Sequence, residues 1–111
     1  MACIFCRIIA KEIPAKILYE DDSVLAIADI NPVAPVHILV LPKQHMERID
    51  SPQAVDCASA LFKAIAHLAA TYNLTDHGFR VVSNAGQAGG QSVDHLHLHL
   101  LGGRQCSWPP G

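Results

Sequence analysis

The chain has 111 residues, enough for one domain of ordinary size, and its 50% hydrophobic and 16% charged residues argue against intrinsic disorder. A formal net charge of −2 gives no electrostatic reason to expect a nucleic-acid polymer as partner, whereas a single nucleotide can be held by a few amides and imidazoles. No run reaches the ~18 consecutive apolar residues of a membrane helix, because the longest apolar region, residues 24–41, contains Asp29, Asn31, Pro32 and Pro35.

The N-terminal segment is predicted to form a short helix. Ile4, Phe5, Ile8 and Ile9 recur at helical spacing, and we expect the helix to end at Pro14. The segment lacks the charged-then-apolar arrangement of a signal peptide, so we expect a cytoplasmic protein. In that compartment the four cysteines are free thiols or metal ligands rather than a disulfide framework.

Three strands are predicted next. Residues 17–19 and 24–28 are apolar runs separated by the polar segment 20–23, which favours a hairpin. Residues 37–42 form a third run, rich in β-branched side chains and bounded by prolines.

One long helix follows, with Ser51 as its expected N-cap and Pro52 at its first position. We expect it to end at Asn73. Its apolar stripe is predicted to consist of Ala54, Ala58, Leu61, Ile65, Leu68 and Tyr72. Strands over 79–83 and 95–101 complete the chain, separated by the glycine-rich segment 84–92. These elements predict a single α+β domain over residues 1–111 with an antiparallel sheet, one long helix and one short helix.

Three histidines alternate with leucines in the last predicted strand. Because alternate side chains of a strand share a face, His95, His97 and His99 are expected on one side of the sheet, with the leucines between them packed on the long helix. One interpretation is a solvated strand face that happens to carry histidine. A second is a zinc site formed by two of the three, since the outer pair is about 13 Å apart along the strand.

The third interpretation is nucleophilic catalysis by the central His97. An imidazole titrates near neutrality and has a lone pair on one nitrogen when the other nitrogen holds the proton. If a backbone carbonyl fixes the Nδ1 proton, Nε2 can attack phosphorus while neighbouring imidazoles contact phosphate oxygens and protonate the leaving group. The segment 84–92 fits this chemistry because exposed glycine amides can cradle a phosphate, although it matches neither the P-loop nor the dinucleotide fingerprint.

The histidine row and its flanks resemble the histidine triad (HIT) family. Residues 95–101 satisfy the family motif His-φ-His-φ-His-φ-φ, in which φ is apolar, and residues 89–93 resemble the preceding loop. The ending Trp-Pro-Pro-Gly at 108–111 and the segment 101–104 resemble the Hint branch, the purine nucleoside phosphoramidases. Further similarity lies at residues 4–5, 13–15, 19–21, 29–32 and 35–40.

The resemblance implies a HIT fold with a five-stranded antiparallel sheet, and a homodimer whose two sheets join into a continuous ten-stranded sheet. It implies cleavage of the P–N bond of purine nucleoside 5′-phosphoramidates, with no metal needed for the chemistry. His97 would attack the α-phosphorus and expel the amine, and water would hydrolyse the nucleotidyl-histidine intermediate.

Three other activities remain open. The first, also found among triad families, is cleavage of dinucleoside polyphosphates or nucleotidyl transfer. The second is a zinc hydrolase in which His97 ligates the metal and an activated water attacks. The third is a non-catalytic nucleotide-sensing adaptor.

The resemblance also implies contacts with the phosphate. His99 and Ser92 would contact the phosphate and the leaving group, and the loop that contains Asn84, Gly90 and Gln91 would approach the phosphate. A turn-capping role is the alternative for Asn84.

The remaining implied roles concern the nucleophile, the ribose and the base. His37 and His95 would orient His97, and Asp29 would accept hydrogen bonds from the ribose hydroxyls. Trp108 would reach towards the partner's active site; the alternative for its tail is disorder. The apolar base slot would consist of Ile4, Phe5, Ile8, Ile27, Ile30 and Leu39. The structural alternatives are core packing for the slot residues, a turn cap for Asp29 and a structural histidine at position 37.

Cys3 and Cys6 have the two-residue spacing of a zinc knuckle, for which a redox pair and chance are the alternatives. The Hint branch often lacks these cysteines. Other bacterial triad proteins use them with two histidines, and that resemblance implies a structural zinc held by Cys3, Cys6, His45 and His95. A metal-bound His95 would not titrate, and its carbonyl could still orient His97. Asp94 replaces an aromatic residue common in relatives, and we expect it to affect packing more than chemistry.

Overall fold

Five antiparallel strands form one sheet, in the order β1-β2-β3-β5-β4, in the computed structural model, which describes residues 3–111. The helices are α1 (Ile4–Ile9) and α2 (Ala54–Thr71), and the strands are β1 (Ile17–Glu20), β2 (Val24–Ala28), β3 (Val36–Pro42), β4 (Arg80–Ser83) and β5 (Leu98–Gly102). The α+β class, the antiparallel sheet and the pairing of a long with a short helix are therefore confirmed.

The two faces of the sheet are covered by different helices. On one face α2 packs on Val24, Ala26, Ile38, Val40, Leu96, Leu98 and Leu100. On the other face Phe5 and Ile8 of α1 pack on Leu25, Ile27, Leu39 and Leu41. The leucines of the histidine row therefore pack on the α2 side, as predicted from strand alternation, and the imidazoles lie on the α1 side.

One apolar stripe fixes α2 on the sheet. Its buried residues are Ala54, Leu61, Ala64, Ile65, Leu68 and Ala69. Each fully buried leucine or isoleucine contributes roughly 1.5–3 kcal/mol relative to an exposed side chain. The prediction that Ala58 belongs to this stripe is wrong, because Ala58 is exposed. By length and composition α2 could also cross a membrane, and 33% of it is buried in the fold, where its apolar stripe packs on the sheet.

Both helices have different bounds from those predicted. α1 ends at Ile9 rather than at Pro14, because Lys11 takes a positive φ of 63° and turns the chain. α2 begins at Ala54 rather than near Ser51. The Ser51 hydroxyl accepts a hydrogen bond from the backbone N–H of Arg48 at 3.0 Å, so it does not cap α2. The predicted end at Asn73 is confirmed by the positive φ of 60° at that residue.

β5 begins at Leu98, three residues later than predicted. The β3–β5 pairing runs from Val36 opposite Gly102 to Val40 opposite Leu98. Towards His95 the ladder would meet Pro42, which has no N–H to donate. Leu96 instead bonds to the segment after β3, with its N–H donating to the Met46 carbonyl at 2.7 Å.

Candidate active site and metal centre

The row of three histidines lies against α1 and is largely shielded from solvent. His95 is fully buried, His97 is 5% exposed and His99 is half-buried. A solvated strand face is therefore the wrong interpretation of this row. Buried imidazoles require hydrogen-bond partners, and those partners define what each ring can do.

His97 is held in one tautomer by the backbone two residues before it. Its Nδ1 lies 2.7 Å from the His95 carbonyl oxygen, which can only accept, so Nδ1 carries the proton and Nε2 carries the lone pair. Within residues 3–111 no hydrogen bond reaches Nε2, and the one fully buried side-chain N or O atom without a partner is Ser83 Oγ. Nε2 of His97 is therefore unpaired and still reachable, as a nucleophile requires.

A second chain of hydrogen bonds fixes His99. The backbone N–H of Val33 donates to Nδ1 of His37 at 3.1 Å, so neutral His37 carries its proton on Nε2. That proton faces Nδ1 of His99 at 2.9 Å, with Asp29 Oδ2 at 3.3 Å from the same nitrogen. His99 consequently keeps its own proton on Nε2.

The protonation state of His99 follows from its surroundings. Burial, followed by the adjacent His97 and His37 rings, lowers the pKa of His99 below 6.5, and the Asp29 carboxylate opposes this only in part. At neutral pH the ring is neutral, with one N–H available as a donor. The rings of His97 and His99 lie 5.1 Å apart between centroids, so the N–H of His99 and the unpaired Nε2 of His97 belong to one site.

Four side chains around the start of α1 converge as a metal centre would require. Cys3 Sγ, Cys6 Sγ, His45 Nδ1 and His95 Nδ1 all lie within 4.8 Å of one another. Five of the six separations are 3.2–3.6 Å, against about 3.3–3.8 Å for the edges of a zinc tetrahedron with ordinary bond lengths. Nε2 of His95 is 2.8 Å from the Pro42 carbonyl and carries its proton, which leaves Nδ1 free for a metal. The donor set and its geometry fit zinc.

Asp29, His37 and His99 also lie within 4.8 Å of one another, but they suit a metal poorly. A histidine that ligates through one nitrogen normally donates a proton from the other. Nδ1 of His37 instead accepts from Val33 N–H, so Nε2 must hold the proton in the neutral ring and has no lone pair for a cation. This group is a chain of hydrogen bonds that positions His99.

The glycine-rich loop is held in shape by its own side chains. The amide of Gln91 accepts from Gly86 N–H at 3.0 Å and donates to the carbonyls of Glu47 and Val93. Asn84 donates to the Gly89 carbonyl at 2.8 Å. Both amides therefore hold the loop, and any contact that they make with substrate stays a prediction. Gly90 has a positive φ of 75°, and the Ser92 side chain is exposed beside it.

The predicted base slot divides into a buried part and an exposed part. Phe5, Ile8, Ile27 and Leu39 are members of the buried cluster under α1, as core packing predicts. Ile4 is half exposed and Ile30 is 91% exposed. A role in base binding stays a prediction for all of them.

The structure also locates Asp29 and Trp108, which are predicted to contact the ribose and the partner subunit. Asp29 Oδ1 accepts from Asn31 N–H at 2.7 Å, which is the turn-capping alternative, while Oδ2 faces His37. Trp108 is 82% exposed in the C-terminal tail. Their contacts with ribose and with a partner subunit remain predictions.

Sequence reasoning missed two features of the site. It did not find the link from Asp29 through His37 to His99, and it did not place the ring of Phe5 against His97, with 5.0 Å between centroids. For the Asp29–His37–His99 link the sequence did contain a signal: Asp29 and His37 lie on either side of a proline-rich turn. No local pattern marks the second.

Comparison with known proteins identifies the family. Residues 10–106 match the HIT domain model. The chain is 52% identical over 110 residues to an uncharacterized HIT-like protein of Synechococcus elongatus, covering 97% of this chain and 96% of the relative. It is 46% identical over 121 residues to a 14 kDa zinc-binding protein of Brassica juncea, covering 97% and 98%.

A solved structure gives the same result. The crystal structure of a HIT family hydrolase from Legionella pneumophila superimposes with a TM-score of 0.94 at 43% identity, covering 99% of this chain and 100% of that one. This likeness confirms the predicted HIT fold. The chain therefore belongs to the histidine triad (HIT) family and resembles its hydrolases.

Proposed function

We propose that this protein is a nucleotide-binding hydrolase that cleaves the P–N bond of purine nucleoside 5′-phosphoramidates, with His97 as nucleophile. The observation that carries the proposal is the 2.7 Å hydrogen bond from His97 Nδ1 to the His95 carbonyl. It directs an unpaired Nε2 away from the backbone at no cost in reorganisation when substrate binds. The ending at residues 108–111, with its resemblance to the phosphoramidase branch, favours P–N over P–O–P substrates.

The first step uses two rings. Nε2 of His97 bonds to the α-phosphorus as the P–N bond breaks, and the nitrogen keeps the electron pair of that bond. The departing nitrogen takes a proton from Nε2 of His99, the donor that the His37 hydrogen bond defines. The products are the free amine and a nucleotidyl-His97 that carries a positive imidazolium charge, which offsets the proton lost from the His37–His99 pair.

The second step restores the site. Water attacks the same phosphorus, its proton returns to Nε2 of His99, and the P–N bond to His97 breaks with the electron pair going back to Nε2. The products of the cycle are an amine and a nucleoside 5′-monophosphate. His97 belongs to neither of the two ligand clusters found in residues 3–111, which supports nucleophilic attack over attack by a metal-bound water.

The proposed zinc is structural. Cys3, Cys6, His45 and His95 would hold it, and its contribution would be to pin α1 to the end of β3 and the start of the histidine row. The separations between the ligand atoms support zinc binding by these four residues.

We also propose a homodimer in the cytoplasm. The edge strand β4 has a free side in the sheet order, and its Val81 is exposed. Phe62 is 71% exposed on α2, close to the exposed Ile49 and Val55. The exposed apolar residues of α2 and the free edge of the sheet both support pairing of two copies.

Rapid quench with adenosine 5′-phosphoramidate labelled at phosphorus tests the function. Wild type is expected to give acid-labile label on the protein within one turnover, whereas His97→Ala should bind nucleotide and trap none. Dinucleoside polyphosphate serves as the competing substrate. Faster turnover of that substrate, or turnover by His97→Ala at the wild-type rate, would contradict the proposal.

A further inference from the structure

We infer that Phe5 is a positioning residue for the nucleophile, and that through Phe5 and His95 the metal centre sets the orientation of His97. This inference rests on the proposed function of His97. Under this inference the zinc knuckle affects catalysis in addition to pinning α1. Phe5 positions His97 instead of binding the base.

Phe5 connects the knuckle with both histidines. It lies between the two cysteine ligands in the chain, and its ring is buried. The ring meets His95 edge-on, with 5.9 Å between centroids and 87° between planes, and meets His97 at 5.0 Å and 74°. Both distances lie in the range where edge-to-face aromatic pairs attract.

The backbone provides a second link. His95 offers Nδ1 to the metal cluster, and its carbonyl oxygen accepts the Nδ1 proton of His97. The side chain and the carbonyl belong to one residue, so a metal that fixes His95 also fixes the acceptor that selects the His97 tautomer. Both links to the nucleophile therefore begin at the cluster.

The helix that carries Phe5 depends on these ligands for its position. α1 has six residues, too few to be stable alone. Its first turn is closed by Cys6 N–H donating to Cys3 Sγ at 3.2 Å, so a ligand atom is also its N-cap. Because Cys3 is both a proposed ligand and the N-cap, a metal bound there would help to hold the start of α1, and with it Phe5, in place.

The His97 ring is restrained by one hydrogen bond and by close packing. It is 5% exposed, and within the described residues its aromatic neighbours are Phe5 and His99. Without the Phe5 edge the ring can rotate about χ2 and lose its bond to the His95 carbonyl. The proton can then sit on either nitrogen, and a fraction of molecules would have no lone pair at Nε2.

The test compares Phe5→Leu with Phe5→Tyr, which keeps the ring, and with Leu25→Ala, which removes apolar volume from the same buried cluster without removing an aromatic neighbour of His97. Nitrogen-15 NMR of labelled histidine reports the His97 tautomer in zinc-loaded protein. We expect a single Nδ1–H tautomer in wild type, Phe5→Tyr and Leu25→Ala, and a mixture in Phe5→Leu. Chelation of wild type should also produce a mixture.

Kinetics separate positioning from base binding. In Phe5→Leu the single-turnover rate at saturating substrate should fall about 10- to 100-fold, while affinity for nucleoside monophosphate is kept. Lost affinity with an unchanged rate and a single tautomer would overturn the inference in favour of a base slot. The tautomer is measured without turnover, so this part of the test remains valid even if phosphoramidates prove to be the wrong substrates.

Discussion

Nε2 of His37 and Nδ1 of His99 lie 2.9 Å apart, and the direction of this hydrogen bond is set by a third group, the N–H of Val33. A backbone amide can only donate, so the proton positions of both rings follow from one peptide bond. The result is a neutral donor on His99, whose ring lies 5.1 Å from that of His97 between centroids.

Replacement of His37 should therefore act on the leaving group. In His37→Ala the tautomer of His99 is no longer fixed, and we expect cleavage of an alkyl-amine phosphoramidate to slow by about 10²–10⁴-fold, the usual range for general acid catalysis. A substrate with a weakly basic aryl-amine leaving group needs less help from an acid, so its rate should fall less. Pre-steady-state kinetics on the two substrates measure the difference. Equal losses on both would contradict an acid role for the pair.

Stability should depend on pH through His99. Burial and the neighbouring His97 and His37 rings lower the pKa of His99 below its ordinary 6.5. Below pH 6.5 the unfolded chain binds a proton at this position before the folded protein does, so this stability is present above pH 6.5 and is lost as the pH falls towards the folded-state pKa. Urea unfolding should show that the free energy of unfolding falls less steeply with decreasing pH in His99→Gln than in wild type. His77→Gln, at an exposed position, is the matched control, and a decline as steep in His99→Gln as in wild type would be the contrary result.

Zinc should bind in a ratio of one ion per chain and stabilise the fold. With free zinc at ~100 times its dissociation constant, the free energy of unfolding should rise by about 2.7 kcal/mol over that of chelated protein. In Cys6→Ser, elemental analysis should show no bound zinc, and thermal unfolding should show no stabilisation by added zinc. Cys106→Ser, away from the cluster, should retain both. Wild-type protein purified without chelator and free of zinc would contradict the assignment.

A charge on the exposed face of α2 should prevent dimerisation. Phe62→Glu places a carboxylate among the exposed Ile49 and Val55, where a second copy would have to desolvate it. We expect sedimentation velocity to show a dimer for wild type and a monomer for this variant. Lys16→Glu makes a charge change at an exposed position near β1 and should remain dimeric. A monomeric wild type would remove the basis for a partner contact by Trp108.

Local sequence patterns predicted the helices and strands well because alternation, helical periodicity and turn residues all act within a few neighbouring positions. The alternation of His95 to Leu100 correctly placed leucines towards α2 and imidazoles towards the opposite face. The polar segment 20–23 correctly predicted a hairpin, whose turn is held by Asp21 Oδ1 accepting from Ser23 and Val24 N–H. The resemblance then supplied the ligand set Cys3, Cys6, His45 and His95, which spacing alone could not assemble.

Two of the outcomes that sequence reasoning missed concern partners that are distant in sequence. β5 starts late because Pro42, more than fifty residues earlier, cannot continue the ladder. The His37–His99 bond depends on the register of β3 against β5, in which His37 faces Leu101 and His99 faces Leu39. The Ser51 error is local: Ser51 satisfies the capping rule, but in the fold its hydroxyl accepts from the N–H of Arg48, three residues earlier. The β5 boundary and the His37–His99 bond cannot be read from a short window of sequence.

Cys3 and His95 are 92 positions apart in the chain and yet contribute adjacent atoms to one cluster. A nascent polypeptide presents the two thiols first and the His45 imidazole later, and the fourth side chain, His95, emerges just before β5. If these residues bind zinc as proposed, the complete site exists only when nearly the whole chain has been synthesised.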